Sequence, residues 1–238
     1  MIPSNYSSFQ LMEVQLNALF VLDSEGRLQA VNEPGAPPAP RFFMGRTSAG
    51  HLWRVRYDLP VEVVDQLGQL CRAEPERSLL TSQPQQYQAI RGVIADHAPI
   101  ASEERGPAYW LPIVSRVSQH VALLSEAQAQ LVQDTFPWLV AWLADPANGP
   151  VAAFVEHGQA VSVCFCSRIT QQAAEAGVET LPAFRGKGYA TAAVAAWAAA
   201  IQQSRRIALY STAWENQASQ SIASKLGAVL YGEDWSLA

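Results

Sequence analysis

The segment Thr180-Leu-Pro-Ala-Phe-Arg-Gly-Lys-Gly-Tyr-Ala-Thr191 constrains the fold of this chain more than any other stretch. An extended run ends at Pro182, two glycines turn the chain, and an alanine-rich helix follows at once, predicted over Tyr189–Gln203. Strand, tight loop and helix in that order belong to a layered α/β or α+β fold. Gly186 and Gly188 let the backbone approach a ligand and adopt positive φ. The first amides of a helix have no partners within it and lie at the positive end of its dipole. Such a place suits a pyrophosphate. Arg185 and Lys187 add charge around it.

Two familiar phosphate loops do not fit. A Walker loop needs four residues between its glycines and then lysine with serine or threonine. A dinucleotide loop needs a third glycine, where Thr191 stands, and an acid ~20 residues on, near Arg206.

The segment resembles the signature of the GCN5-related N-acetyltransferase (GNAT) superfamily: arginine or glutamine, two residues, glycine, one residue, then glycine or alanine. Arg185, Gly188 and Ala190 fill it, behind the usual strand-ending proline at Pro182. Downstream, the strand Ala208–Thr212 leads to Asn216, Ser219 and then Ala223-Ser-Lys-Leu-Gly227, similar to the asparagine and helix-plus-glycine block that closes family members. The likeness runs from about residue 125 to 238, element order included. It implies a mixed, mostly antiparallel central sheet flanked by helices over 116–238. The likeness does not extend to the first half, 1–115, which reads from its own pattern as a smaller α+β N-terminal domain to which no motif assigns a role.

The resemblance also implies acetyl-CoA as co-substrate, with no metal. The amides of Gly186, Lys187, Gly188, Tyr189, Ala190 and Thr191, with Arg185 beside them, would hold the pyrophosphate. The backbone of Val178, Glu179, Thr180 and Leu181 would pair with the pantetheine arm like an added strand, filling a splay in the sheet. Asn216, with Ser219 after it, would steady the cofactor or the end of its strand. Each has a purely structural reading too: Pro182 ends a strand, and Asn216 caps the helix that follows.

The implied reaction moves an acetyl group to a primary amine of a small molecule by direct attack in a ternary complex. It needs a neutral amine, a donor for the developing oxyanion and an acid for the leaving thiolate. A backbone N–H near Val178 suits the oxyanion. Glu175 and Glu179 are the candidate bases, and Glu175 is preferred because the family often keeps a carboxylate at that strand's start. Strand alternation puts both opposite Val178 and Thr180, so a bulge between them is expected. One departure stands out. Many members carry a tyrosine four residues before the closing glycine as the acid; Ala223 stands here, leaving Ser219, Ser224, water, or unassisted departure of the thiolate. That keeps open a non-catalytic acyl-CoA-binding sensor or interaction module.

Elsewhere the pattern predicts hairpins over Ala18–Val31, with Gly26 in the turn, and over Phe42–Asp58, the latter alternating Trp53, Val55 and Tyr57 with Arg54, Arg56 and Asp58. A helix opens at Pro60, and 78–106 reads as loops with short elements. Ser125-Glu-Ala-Gln128 is a capping-box pattern before two short helices divided by Pro137. Strands are predicted over Val151–Glu156, Ala160–Arg168, Ala176–Leu181, Ile207–Ser211 and Val229–Tyr231, with a helix over Gln217–Leu226 closed by Gly227. The domain boundary is placed within 107–121.

Composition narrows the partners. A formal charge of −5 gives no basic stripe for nucleic acid. Sparse Cys71, Cys164 and Cys166 read as buried apolar groups in a reducing compartment, and the last two share one strand face. The start, Met1–Tyr6, lacks a signal-peptide pattern and no run spans a membrane, so a cytoplasmic protein is expected, monomeric or homodimeric. Only Lys187 and Lys225 are lysines, a bias that suggests a GC-rich bacterial genome.

Overall fold

The computed structural model describes residues 6–76, 80–113 and 117–238. The chain forms two compact units: Met1–Tyr109 with Ser211–Gln217 and Val229–Ala238, and Trp110–Tyr210 with Ala218–Ala228. Where the sequence suggests two consecutive segments meeting at 115/116, the chain instead returns twice to the first unit. Residues 114–116, on which that boundary falls, lie outside the described ones, as do Met1–Asn5 and residues 77–79.

The first unit opens with helix α1 (Ser8–Leu19) and a small hairpin, β1 (Phe20–Leu22) with β2 (Leu28–Val31). The hairpin is as expected, with Gly26 at φ 77°, but Ala18 and Leu19 belong to a helix. Ser7 starts it through a capping box with Gln10. Next come β3 (Phe42–Thr47), β4 (Gly50–Val55) and α2 (Val61–Ala73). The expected loop region instead holds α3 (Tyr87–His97) and β5 (Glu103–Trp110). Ser78 and Leu79 of that stretch fall outside the described residues. The last strand, β11, runs Val229–Leu237, well past the expected Tyr231. The strand order is β4-β3-β11-β5. Under this sheet, α2 and α3 close a core of Phe42, Met44, Leu67, Cys71, Ile90, Ile94 and Trp235.

In β11 a carboxylate is buried with partners. Glu233 is 1% exposed; it accepts from Arg46 at 2.8 Å, Arg105 at 2.6 Å and the Trp214 indole at 2.8 Å. Breaking one partner of such a buried set costs ~3–5 kcal/mol. The paired arginines of the second hairpin act locally: Arg56 binds Asp58 and the Ala39 carbonyl, and Arg54 the Trp53 carbonyl.

The second unit holds β6 (Val121–Leu124), α4 (Trp138–Leu143), β7 (Val151–Glu156), β8 (Gln159–Ile169), β9 (Ala173–Thr180), α5 (Tyr189–Gln203), β10 (Ile207–Ser211) and α6 (Gln217–Lys225). Ser125 forms its capping box, although the turn it starts is a short 3₁₀ helix, Glu126–Leu131. The order is β10-β9-β8-β7-β6. Neighbours pair antiparallel except β9 with β10, which are parallel. The sheet is therefore mixed and mostly antiparallel, with helices on it, as the sequence implies.

Val132, Phe136, Leu139 and Leu143 cover one side of this sheet with Val151, Ala153, Ala160 and Val163. Helix α5 covers the other with Val194, Trp197 and Ile201. Its alanines let it lie close to the strands. The Trp197 indole donates to the Cys166 sulfur at 3.4 Å. Burial pushes the Cys166 thiol up to about 11 and Cys71 to about 12. No helix among the described residues is long and apolar enough to cross a membrane.

Candidate functional site

After β9 the chain makes a 3₁₀ turn at Pro182–Phe184. Gly186 and Gly188 then take φ 75° and 83°, values that side chains disfavour. A Cβ at either would meet nothing within 4 Å. Both glycines therefore serve the backbone path and face open space. Gly188 caps α5, whose first backbone bond runs from the Ala192 amide to the Gly188 carbonyl at 3.1 Å. The amides of Tyr189, Ala190 and Thr191 precede that bond, and no side chain of the described residues caps them. Arg185, Gly186, Lys187 and Gly188 are exposed.

Contacts of Tyr189, Lys187 and Arg185 fix this loop. Tyr189 stacks on Phe154 of β7 and donates its hydroxyl to Glu156 at 3.2 Å. The Lys187 ammonium lies 4.8 Å from the centre of the Phe184 ring, a position from which it can swing onto an anion. Arg185 reaches back to the Thr180 carbonyl at 3.3 Å.

Beside the loop, the sheet opens. Strands β9 and β10 pair from Ile207↔Ala173 to Leu209↔Glu175, while β9 continues to Thr180. The Leu181 amide donates to Val161 on the β8 side. By antiparallel alternation, Glu179 and Gly177 point the same way, whereas Ala176, Val178 and Thr180 turn N–H and C=O toward the β10 side. Val178 and Thr180 thus present backbone groups to the opening. Those of Glu179 and Leu181 are turned to β8.

The bulge expected in β9 is not there; the irregularity lies in the neighbouring strand and leaves the two sets of side chains on opposite faces. The register shifts between Cys166 and Arg168 of β8, opposite Ala176 and Glu175, and the Ser167 hydroxyl donates to the Glu175 carbonyl at 3.1 Å. Strand β9 keeps its alternation from Glu175 to Thr180. Glu175 and Glu179 therefore share one face with Gly177, and Val178 and Thr180 share the other with Cys164 and Ser162. Glu175 is 4% exposed, whereas Glu179 is exposed.

Gly177 is a residue the motifs do not flag. A Cβ there would lie 2.4 Å from the end of the Phe165 ring, so only glycine lets Phe165 pack this close to β9. A glycine inside a strand is the sequence signal of such an approach.

The remaining residues lie apart in the chain. Asn216 belongs to the first unit, where its amide donates to the Ala213 carbonyl at 3.0 Å. Ser219 and Ser224 are on α6, the first partly exposed and the second exposed. Ala223 is 1% exposed. Gly227 closes α6 at φ 64°.

Residues 147–233 match the family model described as GNAT acetyltransferase. No curated protein matches the chain. Among solved structures, it is similar to an acetyltransferase of the GNAT family from Novosphingobium aromaticivorans, at 15% identity and TM-score 0.47, covering 58% of this chain and 65% of that one. It thus spans just under two thirds of that protein. It is also similar to a GCN5-related N-acetyltransferase-like protein from Streptococcus suis, at 14% identity and TM-score 0.48, covering 84% and 85%. A GCN5-related N-acetyltransferase from Sphaerobacter thermophilus is similar at 13% identity and TM-score 0.44, covering 87% and 79%.

Proposed function

We propose that this chain moves an acetyl group from acetyl-CoA to a primary amine of a small molecule, a reading supported by the match of residues 147–233 to the family model described as GNAT acetyltransferase. One observation carries the reading: the parallel pair β9–β10 stops at Glu175 and Leu209, and the glycine loop begins at the far end of the unpaired β9 segment. A ligand with a diphosphate at one end and a long amide-bearing arm fits both features. The amides from Gly186 to Thr191 take the diphosphate, with Arg185 and Lys187 adding charge. Val178 and Thr180 take the arm as an added strand.

In this reading the acceptor nitrogen attacks the thioester carbonyl. The new N–C bond forms as the C–S bond breaks, and the Val178 N–H donates to the oxygen in between. Glu175 receives the amine proton, directly or through water. Water or a serine of α6, Ser219 or Ser224, returns a proton to the thiolate. Asn216 steadies the strand end. The buried, reduced cysteines and the arginine bias fit a cytoplasmic bacterial enzyme.

Ala223 favours a second reading. A tyrosine acid has no counterpart there, and the position is buried, which suits a module that binds acyl-CoA without turnover. Release of free thiol from acetyl-CoA across a panel of primary amines separates the two. Turnover above the amine-free background is expected; CoA binding with no turnover of any amine would establish the module instead.

A further inference from the structure

We infer that Trp138 and the Glu175–Glu179 face of β9 form the acceptor site, and that the acceptor carries a second cationic group besides the amine that is acylated. The inference rests on the acyl-transfer reading above. It starts from Trp138, the one tryptophan among the exposed large apolar side chains, at 37%. Its ring is held edge-on by Phe165 at 4.7 Å and by Trp142 at 5.8 Å. Trp142 is itself fixed, since its indole donates to the Asn148 carbonyl and the Asn148 amide returns a bond to the Trp142 carbonyl, both at 3.1 Å. Phe165 rests on Gly177. An exposed indole is therefore carried, through one ring, to the strand residue just before Val178.

Carboxylates stand two residues to either side of Gly177 on that same face. Glu179 is exposed and Glu175 buried, with Arg168 opposite Glu175 in the register. Indole faces attract cations, more strongly where water is partly excluded. An exposed indole packed on the strand face that carries an exposed carboxylate thus selects an ammonium or guanidinium group.

That cation is not the reacting nitrogen. The attacking amine must be neutral, and holding its ammonium form on the indole would stabilise the ground state the reaction has to leave. The acceptor therefore holds its cationic tail against Trp138 and Glu179, while its primary amine reaches inward to Glu175 and the opening beside Val178.

Kinetics with diaminopentane and with pentylamine, matched in length, test this alongside calorimetry of diaminopentane with the CoA-loaded protein. The diamine is expected to be the better acceptor. Trp138→Leu, which keeps an apolar side chain without the ring, should lower kcat/KM for the diamine ~10-fold, mostly through KM. The loss for pentylamine, which has no second cation, should be several-fold smaller, and Trp138→Phe should retain most of the preference. Equal losses for both amines, or no preference in the unchanged protein, would overturn the inference while leaving acyl transfer standing. Binding of the diamine that depends on Trp138, with no amine turned over, would support the site and overturn acyl transfer. Neither binding nor turnover overturns both.

Discussion

Phe154 and Tyr189 lie face to face, ring centroids 4.0 Å apart and planes 11° from parallel. The stack ties strand β7 to the first residue of α5 and so fixes the direction in which the leading amides of that helix point. Tyr189→Ala is expected to lower stability by about 1–3 kcal/mol and to weaken CoA binding as the helix start loosens. Tyr189→Phe keeps the ring and loses only the bond to Glu156, so both properties should stay close to the unchanged protein. Urea unfolding and calorimetry on the two variants check this; equal effects would show that the stack plays no part.

Gly188 is the left-handed cap of α5, and a side chain there meets open space. Gly188→Ala therefore costs backbone strain alone, ~1–2 kcal/mol, read by urea unfolding. If the open space is where the diphosphate comes down, CoA affinity should fall by more than tenfold in a protein that remains folded.

Glu175→Gln removes a proton acceptor without emptying its place. The expected result is a loss in kcat of ~10²–10⁴, with CoA affinity unchanged because no backbone donor of the loop moves. A variant with near-normal kcat would remove Glu175 from the reaction.

Much of this was legible because it is local. Tyr189–Gln203, Val151–Glu156 and Ile207–Ser211 fall where their own patterns put them, since each carries its period and its end signals within itself. Helix α1 was not. Ser8, Leu11, Met12, Val14, Gln15, Leu16 and Ala18 are all buried, so it shows no single apolar stripe, and the apolar run from Ala18 suggested a strand. The Ser7–Gln10 capping box was the available signal. The length of β11 depends on partners far away in sequence: Glu233 and Asp234 look like a solvated tail until Arg46 and Gln15 are seen to hold them. The bulge expected in β9 is absent, and the irregularity in β8 opposite Glu175 is one that no pattern in β9 could reveal. The aromatic floor at Trp138 likewise depends on Phe165 and Gly177, which only the register brings together.

Glu103 gives the fold an acid-sensitive point. Burial works to raise its carboxyl, but hydrogen bonds from Tyr87, Arg91 and Trp235 outweigh that and hold it below its ordinary 4.5. A carboxyl depressed in the fold adds stability above the unfolded value, and that share is lost as pH falls through the folded one. Stability in urea is expected to decline as pH drops below 4.5. Glu103→Gln should flatten the decline; an unchanged slope would contradict this.

Hydrogen–deuterium exchange with and without CoA bears most directly on whether unpaired backbone donors at the start of α5 and along the open part of β9 receive the ligand. Slower exchange is expected in peptides covering 186–191 and at Val178 and Thr180, with the remainder of the second unit little changed. Protection confined to other segments, or none at saturating CoA, would contradict the account.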